Sequence, residues 1–396
     1  QYDSYAQDAL RVLAFAYKPL RKKYNKKHVE QELIFVGLQC MIDPPREEVK
    51  EAVARCKTAG IKVVMITGDY KKTAIAIGEQ LGIVGKAVDG LEIDQIDLDK
   101  HVEEIAIYSR VNPEHKMKII QSLEKKGHIV AMTGDGINDA PALKRANIGV
   151  AMGITGTDVA KDASDMILTD DNFTSIVNAV EEGRNIYDNI KKFVNYLLSS
   201  NMGEVLVLFI AMIIGFSVGG AIVLPLVAIQ ILWMNLITDG LPALALGVDP
   251  ADPRSMHKKP RDPHANIINK NMALNIVVIG ILVAIATLYV FANALPDVDK
   301  ARSLALTTLI VLEIVRLEMI RSQYHTKTFS NKWLNFAVAG VFALQLLVLY
   351  TPVNSLFKVV PLSLSDWRLV LGVSAVIYVI GMIAGRIIRE VTHESD

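Results

Sequence analysis

The sequence predicts an α/β domain joined to an all-α membrane bundle, and three observations carry that expectation. Up to about Lys192 short apolar runs alternate with helical patterns, whereas beyond it apolar stretches long enough to cross a bilayer recur. The unit strand, Thr-Gly-Asp, helix occurs twice, at 61–80 and 129–146, as in open α/β sheets whose chemistry gathers at the carboxyl ends of strands. Over 396 residues, 51% are hydrophobic and the net charge is zero, a balance that gives no reason to expect nucleic acid as a partner. Two cysteines, Cys40 and Cys56, make neither a disulfide framework nor a metal cluster and are expected to be core thiols of a reducing compartment.

Taken in order, residues 1–31 carry a helical pattern around Ala9 to Tyr17 and then a basic run, Arg21, Lys22, Lys23, Lys26 and Lys27. A solvated face or linker explains that run; a phosphate contact is the alternative. Leu33 to Met41 reads as a strand stopped by Pro44-Pro45, after which Glu47, Glu48 and Val49 open a helix with acids in its first turn. Ile61 to Ile66 is the next strand, ending in Thr67-Gly68-Asp69, with a helix from Lys71 to Gln80. In the stretch Ser109 to Lys116, Asn112 is a helix N-cap and Pro113 a first-turn residue. Lys116 then lies one turn inside, within reach of a phosphate; a solvated lysine is the plain alternative.

Ile129 to Met132 has the pattern of a buried strand and ends at Thr133-Gly134-Asp135-Gly136, where glycines permit a tight turn and Pro141 suits the first turn of a helix. Neighbouring strands would bring the two Thr-Gly-Asp turns to one edge. Asp135, Asp139 and the amide of Asn138 on one turn can hold Mg²⁺ and orient a phosphoryl group. A lone Gly-Asp-Gly would be no more than a polar turn capping a helix. Ile148 to Met152 and Asp165 to Thr169 read as further short strands, and from Phe173 a helical pattern runs unbroken into the first apolar stretch.

Six spans are expected, at about 193–216, 222–247, 271–294, 303–321, 333–351 and 367–388. Arg254, Lys258, Lys259, Arg261, Arg321, Lys327, Lys332, Arg386 and Arg389 fall on one side, against Lys300, Arg302 and Lys358 on the other. The soluble domain and the basic loops therefore share the cytoplasmic side. Polar groups inside spans are costly. Asn201 and Glu204 lie on one face of the first span; Asn235, Thr238 and Asp239 lie on one face of the second, before Gly240-Leu241-Pro242, which is expected to break the helix and free carbonyls. Glu313 and Arg316 share a face of the fourth. These carboxylates, amides and hydroxyl make a hard oxygen cage suited to Ca²⁺. Interhelical hydrogen bonding accounts for Asn201 or Thr238 singly, but poorly for three buried acids.

The string Thr-Gly-Asp-Gly-Ile-Asn-Asp-Ala-Pro-Ala-Leu-Lys at 133–144 resembles the phosphorylation-domain signature of P-type ion-pumping ATPases. Asp43-Pro44-Pro45-Arg46 resembles a hinge motif of that family, and Arg110 to Lys116 is similar to its Arg-Val-x-Pro-x-x-Lys. Asn201-x-x-Glu204 and Asn235-Leu-Ile-Thr-Asp-Gly-Leu-Pro-Ala243 look like the calcium-pump branch, typified by the sarcoplasmic-reticulum calcium ATPase. The resemblance covers nearly the whole chain. It implies an α/β haloacid-dehalogenase-like (Rossmann-like) phosphorylation domain followed by an all-α six-helix transmembrane bundle. The end of a nucleotide-binding domain and hinge would occupy 1–31, the C-terminal part of the phosphorylation domain 32–185, and the membrane domain 186–396. ATP and Mg²⁺ are the implied cofactors and Ca²⁺ the transported ion. By the same resemblance Asp135 binds Mg²⁺ and Lys116 supports an aspartyl phosphate. Thr67, Gly68, Asp69, Arg110, Asn138 and Asp139 surround phosphate and nucleotide. Asn201, Glu204, Asn235, Thr238, Asp239 and Glu313 are ion ligands. The implied location is a plasma membrane if the source is bacterial, otherwise an internal membrane.

Two departures from the family pattern matter. Arg316 stands one turn from Glu313, where the family's calcium pumps carry an uncharged residue; its guanidinium is expected to fill part of one ion site, giving one Ca²⁺ per cycle instead of two. The family's nucleophile is the aspartate of Asp-Lys-Thr-Gly-Thr, yet Asp-Lys occurs only at Asp99-Lys100 and Asp299-Lys300, neither followed by Thr-Gly-Thr. Most of the nucleotide domain, the actuator and the first four spans are also not found. The chain, which starts at Gln1 without a methionine, is thus expected to be the C-terminal portion of a pump and inactive without its N-terminal half. A haloacid-dehalogenase-type phosphatase using Asp97-Leu98-Asp99 is the main rival; a channel or scaffold leaves both Thr-Gly-Asp turns unexplained. Mn²⁺ is an alternative cargo.

Overall fold

The computed structural model describes residues 10–19, 29–41 and 44–392; the basic run at 21–27 and the Ile42-Asp43 end of the hinge motif lie outside them. The chain divides into two compact units, Gln1–Val180 with Met256–Pro263, and Glu181–Ser255 with His264–Asp396.

In the first unit, β1 (Arg11–Tyr17) pairs antiparallel with β2 (Ile34–Met41), with a bulge at Phe15/Ala16. The helix expected around Ala9 to Tyr17 is therefore a strand. Its short apolar run fits either period, and the ladder offered by β2 decides the outcome. Pro44-Pro45 precede α1 (Glu47–Thr58), whose first turn holds Glu47 and Glu48 as expected.

Two three-stranded parallel sheets follow. The first has the order β3 (Met65–Ile66), β5, β4; α2 (Lys71–Leu81) leads from β3 to β4 (Lys86–Asp89), and β5 (Ile105–Ser109) lies between them, buried at every residue. Helix α3 (Pro113–Lys125) then leads to the second sheet, ordered β6 (Ala131–Gly134), β7, β8. Around it lie α4 (Ala140–Arg145), β7 (Ile148–Met152), α5 (Asp158–Asp162) and β8 (Met166–Leu168). The two strands that end in Thr-Gly-Asp are not neighbours. Among the described residues β3 pairs only with β5, and β6 only with β7. Each is the edge of its own sheet. Strand 61–66 shortens to Met65–Ile66, and strand 129–132 shifts to Ala131–Gly134. Val53, Ala74, Leu81, Ile83 and Ile107 fill one core; Ile120, Met132, Leu143, Ala151 and Ala160 fill another.

One 42-residue helix, α6 (Phe173–Ile214), runs without a break as its periodicity predicts. The second span differs from expectation. Residues 217–222 form a small hairpin of β9 (Ser217–Val218) and β10 (Ala221–Ile222), and helix begins only at α7 (Ala228–Trp233). Met234–Thr238 is a π-helical turn that passes into α8 (Gly240–Leu246). Gly240-Leu241-Pro242 does not break the helix: Pro242 falls in the first turn of α8, where its missing N–H costs nothing, and the irregularity moves to the turn before it. Four long helices complete the unit: α9 (Lys270–Ala294), α10 (Val298–Gln323), α11 (Lys332–Tyr350) and α12 (Leu364–Thr392).

Among the described residues five helices are long and apolar enough to cross a membrane: α6, the α7-to-α8 stretch, α9, α11 and α12. The expected fourth span is α10, which fails that measure because it carries Glu313, Arg316, Glu318 and Arg321, yet most of its residues are buried against its neighbours. A helix sheltered on nearly all sides can hold charges that a lipid-facing one cannot.

Candidate phosphoryl-transfer edge and cation cage

At the end of β6 the chain turns through Asp135 and Gly136 into a 3₁₀ turn, Ile137–Asp139, and then α4, with Pro141 in the first turn. Asp139 is buried beneath this turn. Its Oδ2 accepts from the N–H groups of Asp135 (3.3 Å) and Gly136 (3.2 Å), and its Oδ1 accepts from Lys116 Nζ. A Cβ at Gly134 would lie 2.5 Å from Asp139 Cβ, so only glycine leaves room for the carboxylate to fold back. Lys116 reaches this point because Asn112 caps α3, accepting from His115 N at 2.8 Å, with Pro113 in the first turn. Asp139 therefore holds the turn and the lysine, while Asp135 and Asn138 are exposed. No described residue hydrogen-bonds the Asp135 carboxylate. Its free oxygens on a turn pinned by Thr157 N to Asp135 O (2.9 Å) fit a hard cation such as Mg²⁺.

The other Thr-Gly-Asp turn is closed by Thr67 Oγ1 donating to Asp69 Oδ2 (2.9 Å) and Asp69 N donating to Thr67 Oγ1 (3.1 Å). Arg110 takes a left-handed φ of 51°, donates its N–H to Asp69 O (3.2 Å), and lays its guanidinium over the Tyr70 ring. Thr67, Gly68, Asp69 and Arg110 thus gather where β3 and β5 end, while Lys116, Asp135, Asn138 and Asp139 gather where β6 ends. The Lys116–Asp139 pair ties the start of α3 to the turn after β6. In the loop after β7, the N–H of Ile154, with the hydroxyl and N–H of Thr155, holds the Asp171 carboxyl down at about 2. Asp97-Leu98-Asp99 has no strand before it. Asp99 sits in a one-turn helix, bonded to Ser122 Oγ and to Lys125 Nζ (2.7 Å), and the lysine keeps its carboxyl below the usual range. That arrangement does not suit a nucleophile.

In the second unit Glu204, Asp239 and Glu313 are buried and can each bring one carboxylate oxygen within 4.8 Å of the others. Asn235 Nδ2 donates to Glu204 Oε2 (3.1 Å), Thr238 Oγ1 to Glu313 Oε2 (3.0 Å), and Tyr196 OH to Asp239 Oδ1 (3.4 Å). One oxygen of each carboxylate, Glu204 Oε1, Asp239 Oδ2 and Glu313 Oε1, is buried with no hydrogen-bond partner. Three carboxylates that converge among apolar helices, each keeping a buried unbonded oxygen, form the donor set of a hard divalent cation. The π turn at Met234–Thr238 helps present Asn235, Thr238 and Asp239 together.

Two of the expected ion-site residues make their bonds outside this cage. Asn201 is exposed and its Nδ2 donates to Leu197 O (2.9 Å). Arg316 does not bond a cage carboxylate. Its Nε donates to Ser199 Oγ (3.1 Å) and its Nη2 to Asn195 Oδ1 (2.9 Å), leaving Nη1 buried and unbonded beside a small cavity that Glu313 also lines. Tyr196, Asn195 and Ser199 were not singled out from sequence. Tyr196 was legible in principle: it stands two turns before Glu204, on the same helix face.

The fold and these two sites define a multi-pass membrane protein carrying a haloacid-dehalogenase-like α/β domain. Residues 7–147 match the family described as haloacid dehalogenase-like hydrolase, and residues 223–387 match cation transporting ATPase, C-terminus. A calcium-transporting ATPase of Bacillus subtilis (strain 168) is 44% identical over 94% of this chain and 43% of its own length. For calcium-transporting ATPase 1 of Bacillus cereus (strain ATCC 10987 / NRS 248) the figures are 45%, 96% and 45%. Human calcium-transporting ATPase type 2C member 1 is 40% identical over 98% of the chain and 43% of its own length. The chain belongs to the P-type cation-transporting ATPases and matches their C-terminal part. It spans less than half the length of these relatives.

Proposed function

We propose that this chain supplies the cation cage and half of the phosphoryl-transfer edge of an ATP-driven pump that moves Ca²⁺ out of the cytoplasm through an aspartyl-phosphate intermediate. The observation that carries the reading is the convergence of Glu204, Asp239 and Glu313, each with an unbonded buried oxygen, inside apolar helices. The names of the relatives support Ca²⁺ as the cargo. Mn²⁺ is the second reading, because an all-oxygen donor set accepts both.

The nucleophilic aspartate comes from the remainder of the pump. Both Thr-Gly-Asp turns close edge strands, β3 and β6, and a strand entering between those edges would present its own carboxyl end between the turns. Lys116, steered by Asp139, then stabilises charge on the transferred phosphoryl group, and Thr67, Asp69 and Arg110 line its approach. Mg²⁺, held by Asp135, supplies charge neutralisation when bound. Asn201 and Asn235, on open faces, complete the cage once further spans pack there. Arg316, one turn from Glu313 and lining the same small cavity, places a fixed positive charge next to the cage and so limits it to one ion. The soluble unit lies on the cytoplasmic side.

The test is labelling of the full-length pump with γ-labelled ATP. An acid-stable, hydroxylamine-sensitive label that needs Ca²⁺ and is lost in Glu313→Gln is expected. Label formed equally without any divalent cargo ion refutes the reading; half-saturation at lower Mn²⁺ than Ca²⁺ favours the second.

A further inference from the structure

A second buried polar cluster in the membrane unit lies away from the cage. Asp249, in the turn after α8, is fully buried and bonded at both oxygens: Oδ2 accepts from Lys192 Nζ (2.8 Å), and Oδ1 from Arg321 Nε (3.0 Å) and Asn331 Nδ2 (3.1 Å). The side chains of Lys192 and Arg321 are each 1% exposed. Every remaining donor is satisfied nearby. Lys192 also donates to Asn189 Oδ1 (3.1 Å) and faces the Tyr324 ring, while Arg321 reaches Thr328 O (2.5 Å), Lys327 O (3.0 Å) and Ser330 Oγ (2.9 Å). Asn331 and Asn189 tie the same turn by its backbone, at Ala245 O and Asp249 O (both 2.9 Å).

The elements that meet at Asp249 are the ones that build the cage. Lys192 is on α6 with Glu204, Asp249 follows the stretch that carries Asp239, and Arg321 is on α10 with Glu313. At 1.5 Å per helical residue the cluster stands about 12–18 Å along these elements from the carboxylates. A bond between Lys192 and Asp249 fixes how far α6 slides against the second span; a bond between Arg321 and Asp249 fixes α10 against the same point. We propose that Asp249, Lys192 and Arg321 form a hub that sets the longitudinal register of the three cage elements, and hence the spacing of the cation's donor oxygens. They are positioning residues, since none touches the cation. The inference rests on the proposed function only in taking the cage to bind a divalent cation.

Lys192 and Arg321 share Asp249, and Arg321 alone has a second carboxylate near it, Glu318 at 3.8 Å, so the members differ in what their removal does. Asp249→Asn leaves Lys192 buried without a carboxylate and is expected not to fold. Lys192→Met leaves Asp249 with Arg321 and Asn331, so the fold survives while the tie to α6 is lost. Lys300→Met, which cuts an ion pair with Asp366 on α12 at the other end of α10, is the control. In the full-length pump, Lys192→Met is expected to raise the half-saturating Ca²⁺ for phosphoenzyme formation by about two- to thirtyfold, the range over which residues remote from a ligand alter its binding. The maximal phosphoenzyme level and the control are unchanged. Thermal unfolding with and without Ca²⁺ or Mn²⁺ reads the same cage without phosphorylation. Equal cation-induced stabilisation in wild type and Lys192→Met overturns the hub alone; no stabilisation of the wild type by either cation overturns the cage and the hub together.

Discussion

Replacing Asp139 separates the two jobs its side chain does. The carboxylate accepts one charge-assisted bond from Lys116 Nζ and two longer bonds from the N–H groups of Asp135 and Gly136. Lys116 is 21% exposed, so its bond counts at the low end for charged groups, about 1.5 kcal/mol. The two backbone bonds add about 0.5–1 kcal/mol each. Asp139→Ala thus costs about 3 kcal/mol. Asp139→Asn keeps an oxygen for the turn and costs about 1.5 kcal/mol. For a unit of this size these losses lower the midpoint by about 6–12 °C and 3–6 °C. The assay is thermal unfolding of the soluble unit's transition in the full-length pump, followed by circular dichroism, with phosphoenzyme formation measured on the same samples. Both variants are expected to slow phosphorylation, because both release Lys116. Equal destabilisation by the two would refute the argument, since the backbone bonds would then contribute nothing.

Glu313→Gln is expected to raise the melting temperature in chelator by relieving crowding among three buried carboxylates, and to reduce stabilisation by Ca²⁺; calorimetry in both buffers checks the pair. Asp171 predicts a pH effect. Its carboxyl titrates near 2 when folded, below its ordinary value of 3.8, so its contribution is complete above about pH 4 and is lost as pH falls toward 2. Hydrogen exchange at Ile154 and Thr155 is therefore slower in wild type than in Asp171→Asn at pH 5, and the difference narrows below pH 3. A gap undiminished at about pH 1, a unit below that titration, argues against the clamp. Gly134→Ala pushes a methyl into Asp139 and is expected to loosen the Lys116 contact, seen as a phosphorylation defect larger than that of Gly136→Ala, where the nearest atom is 3.6 Å away.

Local chemistry made much of this legible. Asn112, Pro113 and Pro141 mark helix starts that depend on no distant partner, and the structure has them where the sequence expects them. The cage acids were legible because a carboxylate inside an apolar span demands a reason. What failed was non-local. Ala9 to Tyr17 carries no signal for choosing helix or strand until β2 lies beside it. The pairing of β3 with β5 and of β6 with β7 depends on which strands are present, which two similar turns cannot reveal. The hub is hidden for another reason: Arg321 reads as a loop charge that reports orientation, and Asp249 falls just past the expected second span, although both are among the most buried groups in the unit. A charge tally cannot separate a solvated cation from one whose partner is another helix.

The bare edges of β3 and β6 also bear on how such a chain behaves in a cell. Each leaves a row of backbone donors and acceptors open to any extended peptide, and natural sheets guard such rows with charge, proline or a cover. Met65-Ile66 and Ala131-Met132-Thr133-Gly134 carry neither charge nor proline. Left unfilled, they are sites for promiscuous strand capture. Filling that slot is thus a solubility step as much as an assembly step.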